Sequence, residues 1–369
     1  MFNSLILSIM KQSFLSMLLL AATITSCTNQ DVVDTEYDKK VKGIQFNVYN
    51  GITRGTPITG NDAFLKSKSS FGVTAFISGG ESPYMGSLTE GIQIKSDGAN
   101  WGYADPGDQA FWPTKGETLN FYAYAPYGAI KPTFSSGNGL SFKYVVPEEE
   151  SAQVDVMFAS ATRVSEASGN KAVPMLFSHA LTQVRFAVAT KTKSLKIDIA
   201  ENGIQINNIK STGTFTLPES ENNGWSNLSA PTAYTVTNAL VTGVYKGEKY
   251  TPVGTEGEAL MLLPQTFAAK SKEVPDGAFL KITCKIYQVL EDGTPIYLKG
   301  DDKTFATIEV PVSSLGIKDT SPVEVWNRGK KVTYNLLIGG GSSTGLEPIE
   351  FTAKAADWDP ADGGEIENK

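Results

Sequence analysis

Apolar and polar residues alternate in short runs along most of this chain, the period of strands with one buried face. In residues 43–49, Ile44, Phe46 and Val48 face one way and the residues between them face the other. Similar runs recur at residues 71–78, 119–127, 140–146, 154–159, 204–209, 279–289, 305–312 and 332–338. Beyond residues 14–24 no window keeps a 3.6-residue apolar period. Turn residues return about every ten positions, so the pattern predicts an all-β chain of antiparallel sandwiches.

The length of 369 residues favours two domains. Residues 165–171 are small and polar, and a new strand-like run begins at Val173. We therefore expect an N-terminal β-sandwich domain over residues 43–172 and a C-terminal β-sandwich domain over residues 173–369. A polar tether over residues 27–42 precedes both domains.

The first 26 residues have the form of a lipoprotein signal peptide. Residues 14–24 are apolar and about half as long as a membrane-spanning helix. The Ile-Thr-Ser-Cys sequence at 24–27 ends on Cys27, whose thiol would accept a diacylglycerol. The alternative is a signal peptide with an incidental cysteine. Residues 1–9 carry no charge, so Met10 is a second candidate for the start of the protein.

The net charge and the number of cysteines limit which partners the protein can bind and whether a disulfide can stabilise it. The net charge of −7 comes without a basic patch, which argues against nucleic acid as a partner. If Cys27 carries a lipid, Cys284 is the remaining cysteine, and it falls on the apolar face of an alternating run. No disulfide is then available, so packing must stabilise the fold.

The run at residues 43–49 lies between the possible lipid site and a possible cleavage site. Arg54 is followed by Gly55 and flanked by small, turn-forming residues, which favour an exposed loop that proteases cut. Burying Ile44, Phe46 and Val48 would contribute roughly 5–9 kcal/mol, against a net domain stability of roughly 5–15 kcal/mol. A domain without this strand would expose an apolar groove that accepts a strand from another chain. The alternative is an ordinary first strand that happens to precede an arginine.

The sequence offers little catalytic chemistry. Its one histidine, His179, sits inside a strand-like run without a nucleophile-elbow sequence nearby, which argues against a catalytic triad and against zinc. The acidic runs at 148–150 and 301–302 are typical of solvated turns. Residues 357–363 depart from a calcium loop in spacing and carry a proline, and the glycine-rich residues 339–345 lack a phosphate-binding lysine. We expect no enzyme activity, no cofactor and no metal.

Aromatic residues cluster in the N-terminal half and leave two interpretations open. They could form a platform on which sugar rings stack, or they could be packing residues of the core and strand faces. The residues concerned are Trp101, Tyr103, Phe111, Trp112, Tyr122, Tyr124 and Tyr127.

Taken in order, these motifs resemble the fimbrillin family, the lipoprotein precursors of type V pili. The resemblance spans nearly the whole chain after the signal peptide, and it depends on the order of motifs that are individually loose. In the N-terminal half, the motifs are the segment that ends at Cys27, Thr53-Arg54, Phe-Trp-Pro at residues 111–113 and the run at residues 120–126. The motifs that follow are residues 155–160, 177–181, 260–265 and 326–334, and Trp358.

The resemblance implies two transthyretin-like β-sandwich domains without catalysis. It implies that an arginine-specific protease cuts between Arg54 and Gly55, that the lipidated strand containing Ile44, Phe46 and Val48 leaves, and that another pilus subunit supplies a strand. Family members donate a C-terminal segment; residues 360–369 are polar here, so residues 349–358 are the better candidate. The precursor is then anchored by lipid in the outer membrane, as a stalk, tip or anchor subunit. The alternative is a surface lipoprotein that binds glycans or host ligands and does not polymerise.

Overall fold

The structure is a computed structural model that describes residues 42–50, 69–167, 172–217, 224–247, 249–255, 259–312, 326–339 and 350–357. For residues 49, 50 and 350–357 it describes the backbone only. The signal peptide, most of the tether, Cys27, Arg54, Gly55 and Trp358 lie outside the described residues.

The described chain is built from β-strands and contains no α-helix, which confirms the all-β prediction. No described helix could therefore span a membrane. Two short 3₁₀ turns are present, η1 at Pro106–Asp108 and η2 at Glu150–Ala152. The strands are β1 Phe46–Asn50, β2 Ser70–Ile77, β3 Pro83–Met85, β4 Ile92–Ser96, β5 Trp101–Tyr103, β6 Leu119–Ala125, β7 Pro132–Ser135, β8 Gly139–Val145, β9 Met157–Val164, β10 Val173–His179, β11 Thr182–Thr190, β12 Leu195–Leu217, β13 Trp225–Thr235, β14 Val241–Tyr245, β15 Thr251–Val253, β16 Leu260–Leu262, β17 Phe279–Val289, β18 Pro295–Lys299, β19 Ala306–Pro311, β20 Lys330–Ile338 and β21 Glu350–Asp357.

The first sheet has eight strands in the order β1-β10-β9-β6-β2-β4-β5, with β3 paired to β2. All its neighbours are antiparallel except β1 and β10, which run parallel from Phe46 opposite Val173 to Asn50 opposite Phe177. The first strand of the described chain therefore lies at one end of the sheet.

The second sheet has thirteen strands, with β18-β17-β12-β14-β11-β20-β21 as its main path. Its longest strand, β12, pairs in turn with β17, β14, β13 and β8, and register shifts interrupt the ladders with β17, β13 and β8. At the other end of the path β21 pairs with β20 alone among the described strands.

Two clusters of buried apolar side chains form the core. The smaller cluster is made by the first sheet and includes the inward face of β1. The larger cluster combines strands of both sheets. Strand β6 contributes to both, because Phe121 and Ala123 point into the smaller cluster while Tyr122 and Tyr124 point into the larger one. Both faces of β6 are therefore buried, one in each cluster, and neither faces solvent.

The sheets do not divide at the expected boundary between residues 172 and 173. Strand β10 begins at Val173 and belongs to the first sheet, because its apolar face packs in the same cluster as β1. Strands β7 and β8, from the N-terminal half, join the second sheet through β12. The division into two sandwich domains stays a prediction.

Candidate functional site: the first strand and its groove

The inward face of β1 and of the residues just before it is buried. Ile44 and Val48 are fully buried, and Phe46 is 7% exposed. Gln45, on the opposite face, is exposed. The alternation in the sequence thus corresponds to a strand whose apolar side chains lie in the core of the first sheet.

Two separate backbone contacts fix this segment. Along its length β1 pairs with β10, and the Val173 N–H donates to the Gln45 carbonyl at 2.7 Å. Before β1 the chain forms a short antiparallel ladder with residues 110–112, in which Gly43 lies opposite Phe111. In that ladder the Ile44 N–H donates to the Ala110 carbonyl at 2.8 Å, and the Trp112 N–H donates to the Lys42 carbonyl at 3.0 Å.

Side chains from β5 and from the loop after it add a third contact. The Tyr103 hydroxyl donates to the Ile44 carbonyl at 3.0 Å, and Gln109 Nε2 donates to the same oxygen at 3.4 Å. Burial raises the pKa of Tyr103 to about 12. The phenol therefore stays protonated, and remains a donor, throughout the neutral pH range.

Three aromatic rings surround Phe46, and we call them the ring pocket: Phe71 of β2, Tyr103 of β5 and Phe121 of β6. Their centroids lie 5.8, 6.2 and 5.9 Å from that of Phe46, and the rings meet edge to face. Such geometry contributes roughly 0.5–1.5 kcal/mol per pair beyond area burial. Phe46 is the largest of the β1 side chains that the structure describes.

An open cleft of about 560 Å³ separates β1 from β5. The cleft is lined by residues 44–47 and 99–103 and by Pro106, Gln109 and Ala172. Because Gln45 directs its carbonyl to β10, the backbone of Phe46 faces this cleft. Strand β1 therefore has a sheet partner on one side and a cleft on the other.

His179 has a structural position. Its Nδ1 lies 2.8 Å from Asp155 Oδ2, and this pair links the end of β10 to the residues before β9. The side chain is only 9% exposed. Within the described residues, no group of three His, Cys, Asp or Glu side chains is placed to hold a metal ion.

Each acidic run supplies a carboxylate that accepts backbone hydrogen bonds. Glu150 Oε2 accepts a hydrogen bond from the Thr237 N–H at 2.6 Å. Asp301 accepts from the Lys303 and Thr304 N–H groups and from the Thr304 hydroxyl, and the hydroxyl bond is the main cause of its lowered pKa.

Cys284 is buried, which raises its pKa to about 12, as expected for a packing residue. Residues 340–345 and 358–363 lie outside the described residues.

The aromatic cluster is mainly packing. Trp112, Tyr122 and Tyr124 are buried, and Trp101, Tyr103 and Tyr127 pack against the core while partly buried. Phe111 is 46% exposed, and its carbonyl accepts a hydrogen bond from the Tyr84 hydroxyl. These residues therefore do not present a shared flat platform.

Sequence reasoning missed the contacts that residues 103–112 make with the segment before β1. This stretch is mostly turn, with an isolated bridge at Phe111, so no apolar period marks it. Tyr103 and Gln109 act on a carbonyl 59 and 65 residues away in the chain. Only the tertiary structure brings these residues together.

Comparison with known proteins agrees with this architecture. A fimbrial protein from Bacteroides vulgatus superposes with a TM-score of 0.62 at 18% identity, covering 86% of this chain and 99% of that one. A putative cell adhesion protein from Bacteroides ovatus gives 0.52 at 15% identity, covering 87% and 99%. At these identities the likeness shows the fold alone.

Comparison at the level of sequence identifies the family as well as the fold. Among curated proteins the search found no significant match. The profile of the Fimbrillin-like family matches residues 53–358, which is most of the chain. This protein therefore belongs to the Fimbrillin-like family, a family of structural cell-surface proteins and not of enzymes.

Proposed function

We propose that this chain is a fimbrial subunit, stalk or tip, that is exported as a lipoprotein with its lipid on Cys27. An arginine-specific protease then cuts between Arg54 and Gly55. The strand carrying Ile44, Phe46 and Val48 leaves, and a strand from another subunit takes its place. The cleaved subunit is part of a fimbrium on the cell surface.

The observation that supports this proposal is a strand that is essential to the core yet attached at its margin. Ile44, Phe46 and Val48 are buried, so their loss would remove roughly 5–9 kcal/mol of a net stability of roughly 5–15 kcal/mol. A chain that lost them would gain stability by binding a substitute strand.

The position of β1 in the sheet also favours its release from the fold. Strand β1 is the first described strand, lies at the end of its sheet and, among the described strands, pairs with β10 alone. Arg54 follows Asn50, the last residue of β1, after three intervening residues. A cut there separates β1 from the chain that follows it.

Treatment with an arginine-specific protease tests the cleavage. The chain has four arginines, and Arg163, Arg185 and Arg328 lie in β9, in β11 and in the turn before β20. We expect the folded protein to be cut after Arg54, to release the strand and to form oligomers that resist SDS. Mass spectrometry of the released fragment and native gels provide the readout.

Two lysine substitutions supply matched controls, because they keep the charge and remove only the protease's recognition. Arg54→Lys should stay intact, lipid-anchored and monomeric. Arg163→Lys, at an exposed position of β9, should be cut and should assemble like the wild type. A chain that is cut after Arg54 yet stays monomeric and equally stable would refute the proposal.

A further inference from the structure

The cleft between β1 and β5 is lined by uncharged residues. These two strands are the ends of the first sheet, and they come together where the ring of Phe46 meets that of Tyr103. The twelve described residues that line the cleft include no Asp, Glu, Lys, Arg or His. Tyr103 stays uncharged at neutral pH, because burial raises its pKa to about 12. An ionic ligand would therefore meet no charged side chain that offsets the loss of its hydration.

Four side-chain amides supply hydrogen-bonding groups around the same cleft. They belong to the β1 segment and to the residues before and after β5: Gln45, Asn47, Asn100 and Gln109. Each amide has one acceptor oxygen and two donor hydrogens. Because hydroxyl groups also both donate and accept, a ligand with several hydroxyls matches this set.

Trp101 adds an apolar surface to the cleft. Its ring packs against Phe71 with the centroids 5.3 Å apart, yet the residue is only partly buried and lines the open volume. The face of an aromatic ring carries partial negative charge and attracts C–H groups. The volume of about 560 Å³ lies within the roughly 300–1,000 Å³ of small-molecule sites. A molecule with hydroxyls at its rim and C–H groups on its face therefore fits the lining.

We propose that this cleft binds an uncharged sugar, with one ring packed against Trp101 and its hydroxyls bonded to the surrounding amides. One indole and four amides form the site, so it does not need the flat aromatic platform that the structure lacks. Residues 44–47 line the cleft, so the site is complete only while the first strand is in place.

Binding of neutral and acidic sugars to the uncleaved chain tests the ligand class. Calorimetry with lactose, maltose and N-acetylglucosamine probes free sugars, and an array of neutral oligosaccharides probes the ends of glycan chains. Glucuronic acid and sialyllactose are the charged counterparts. We expect neutral sugars to bind and their acidic counterparts to bind more weakly. No binding in either format, or binding of acidic sugars alone, would overturn the proposal.

Gly102→Leu tests the location, because a leucine takes up space in the cleft and offers neither an aromatic face nor a hydrogen bond. A Cβ at Gly102 meets no atom within 4 Å, so the added side chain should not disturb the fold. Sugar binding should weaken about tenfold or more. Gly137→Leu, in the turn between β7 and β8, is the matched control, since a Cβ there also meets no atom within 4 Å. Equal binding by both variants would overturn the site.

Gln45→Ala tests an amide without depending on Gly102→Leu. Gln45 is exposed, so the fold should tolerate the change, and binding should weaken roughly 3- to 10-fold, as for the loss of one hydrogen bond. Asn138→Ala removes an exposed amide from the turn between β7 and β8 and should leave binding unchanged. Equal binding by the two alanine variants would remove Gln45 from the site.

A bound sugar should also retain β1, and this consequence rests on the proposed function. Because residues 44–47 line the cleft, the sugar binds only before the strand leaves. The tightest-binding sugar, at about ten times its Kd, should slow strand release after the cut at Arg54 about tenfold. Unchanged release would overturn this coupling. Sugar binding without any strand release would overturn the proposed function alone, and strand release without sugar binding would overturn the sugar site alone.

Discussion

At the scale of single residues, Phe46 connects the first strand to three other strands. Phe46 meets three rings that come from β2, β5 and β6, so it joins strands that are distant in sequence. Tyr103 belongs to this ring pocket and also donates to the Ile44 carbonyl, so one side chain holds both the face and the backbone of the segment.

Replacing Phe46 by alanine in the uncleaved chain should lower the free energy of unfolding by about 3–5 kcal/mol, the usual cost of emptying a buried aromatic site. Gln45→Ala is the matched control, because Gln45 is adjacent and exposed. Its effect should stay within about 0.5 kcal/mol. Denaturant unfolding measures both, and equal losses would show that the ring pocket contributes little.

At the scale of elements, β1 combines parallel pairing on one side with a cleft on the other. Each buried strand of a sheet interior has two ladders, whereas β1 has one ladder and the short contact with residues 110–112. An element with so few backbone bonds and so much buried apolar surface can leave as a unit and be replaced as a unit.

A disulfide between β1 and β10 should block strand release. Asn47 lies opposite Pro174, and directly paired residues of neighbouring strands are close enough for a disulfide. The Asn47→Cys/Pro174→Cys chain, oxidised and cut after Arg54, should keep β1 and stay monomeric. Adding reductant should restore release and assembly, as followed by gel filtration.

Single-cysteine variants control for the substitutions themselves. Each should behave like the wild type with or without reductant. Assembly of the oxidised double variant at the wild-type rate would mean that departure of β1 is not required.

At the scale of the whole molecule, the two core clusters share β6, a strand of the first sheet. Its alternate residues belong to different core clusters, with Phe121 in the smaller and Tyr124 in the larger. Strands cross the expected domain boundary in both directions, since β10 joins the first sheet and β8 joins the second. We expect these strands to couple the unfolding of the two core clusters.

Calorimetry can measure that coupling. Phe121→Ala removes a ring from the smaller cluster, and Phe215→Ala removes one from the larger cluster. If β6 couples them, both variants should lower the midpoint of one common thermal transition. Two transitions, each shifted by only one of the variants, would indicate domains that unfold independently.

The sequence by itself determined the all-β class and, within the alternating runs, which side chains share a strand face. Alternation is a local property, because adjacent side chains of a strand must point to opposite sides. It therefore placed Ile44, Phe46 and Val48 together, and it placed Cys284 among core residues. The order of loose motifs was also enough to suggest the fimbrillin family.

Pairing between distant segments was decided only by the tertiary structure. Nothing local distinguishes a strand that pairs with β10 in parallel from one that pairs elsewhere, and nothing marks Tyr103 or Gln109 as partners of Ile44. The same holds for the two buried faces of β6, whose polar-looking tyrosines pack against the second sheet. These features depend on which apolar surfaces meet when the sheets close, and contacts across more than a hundred residues settle that.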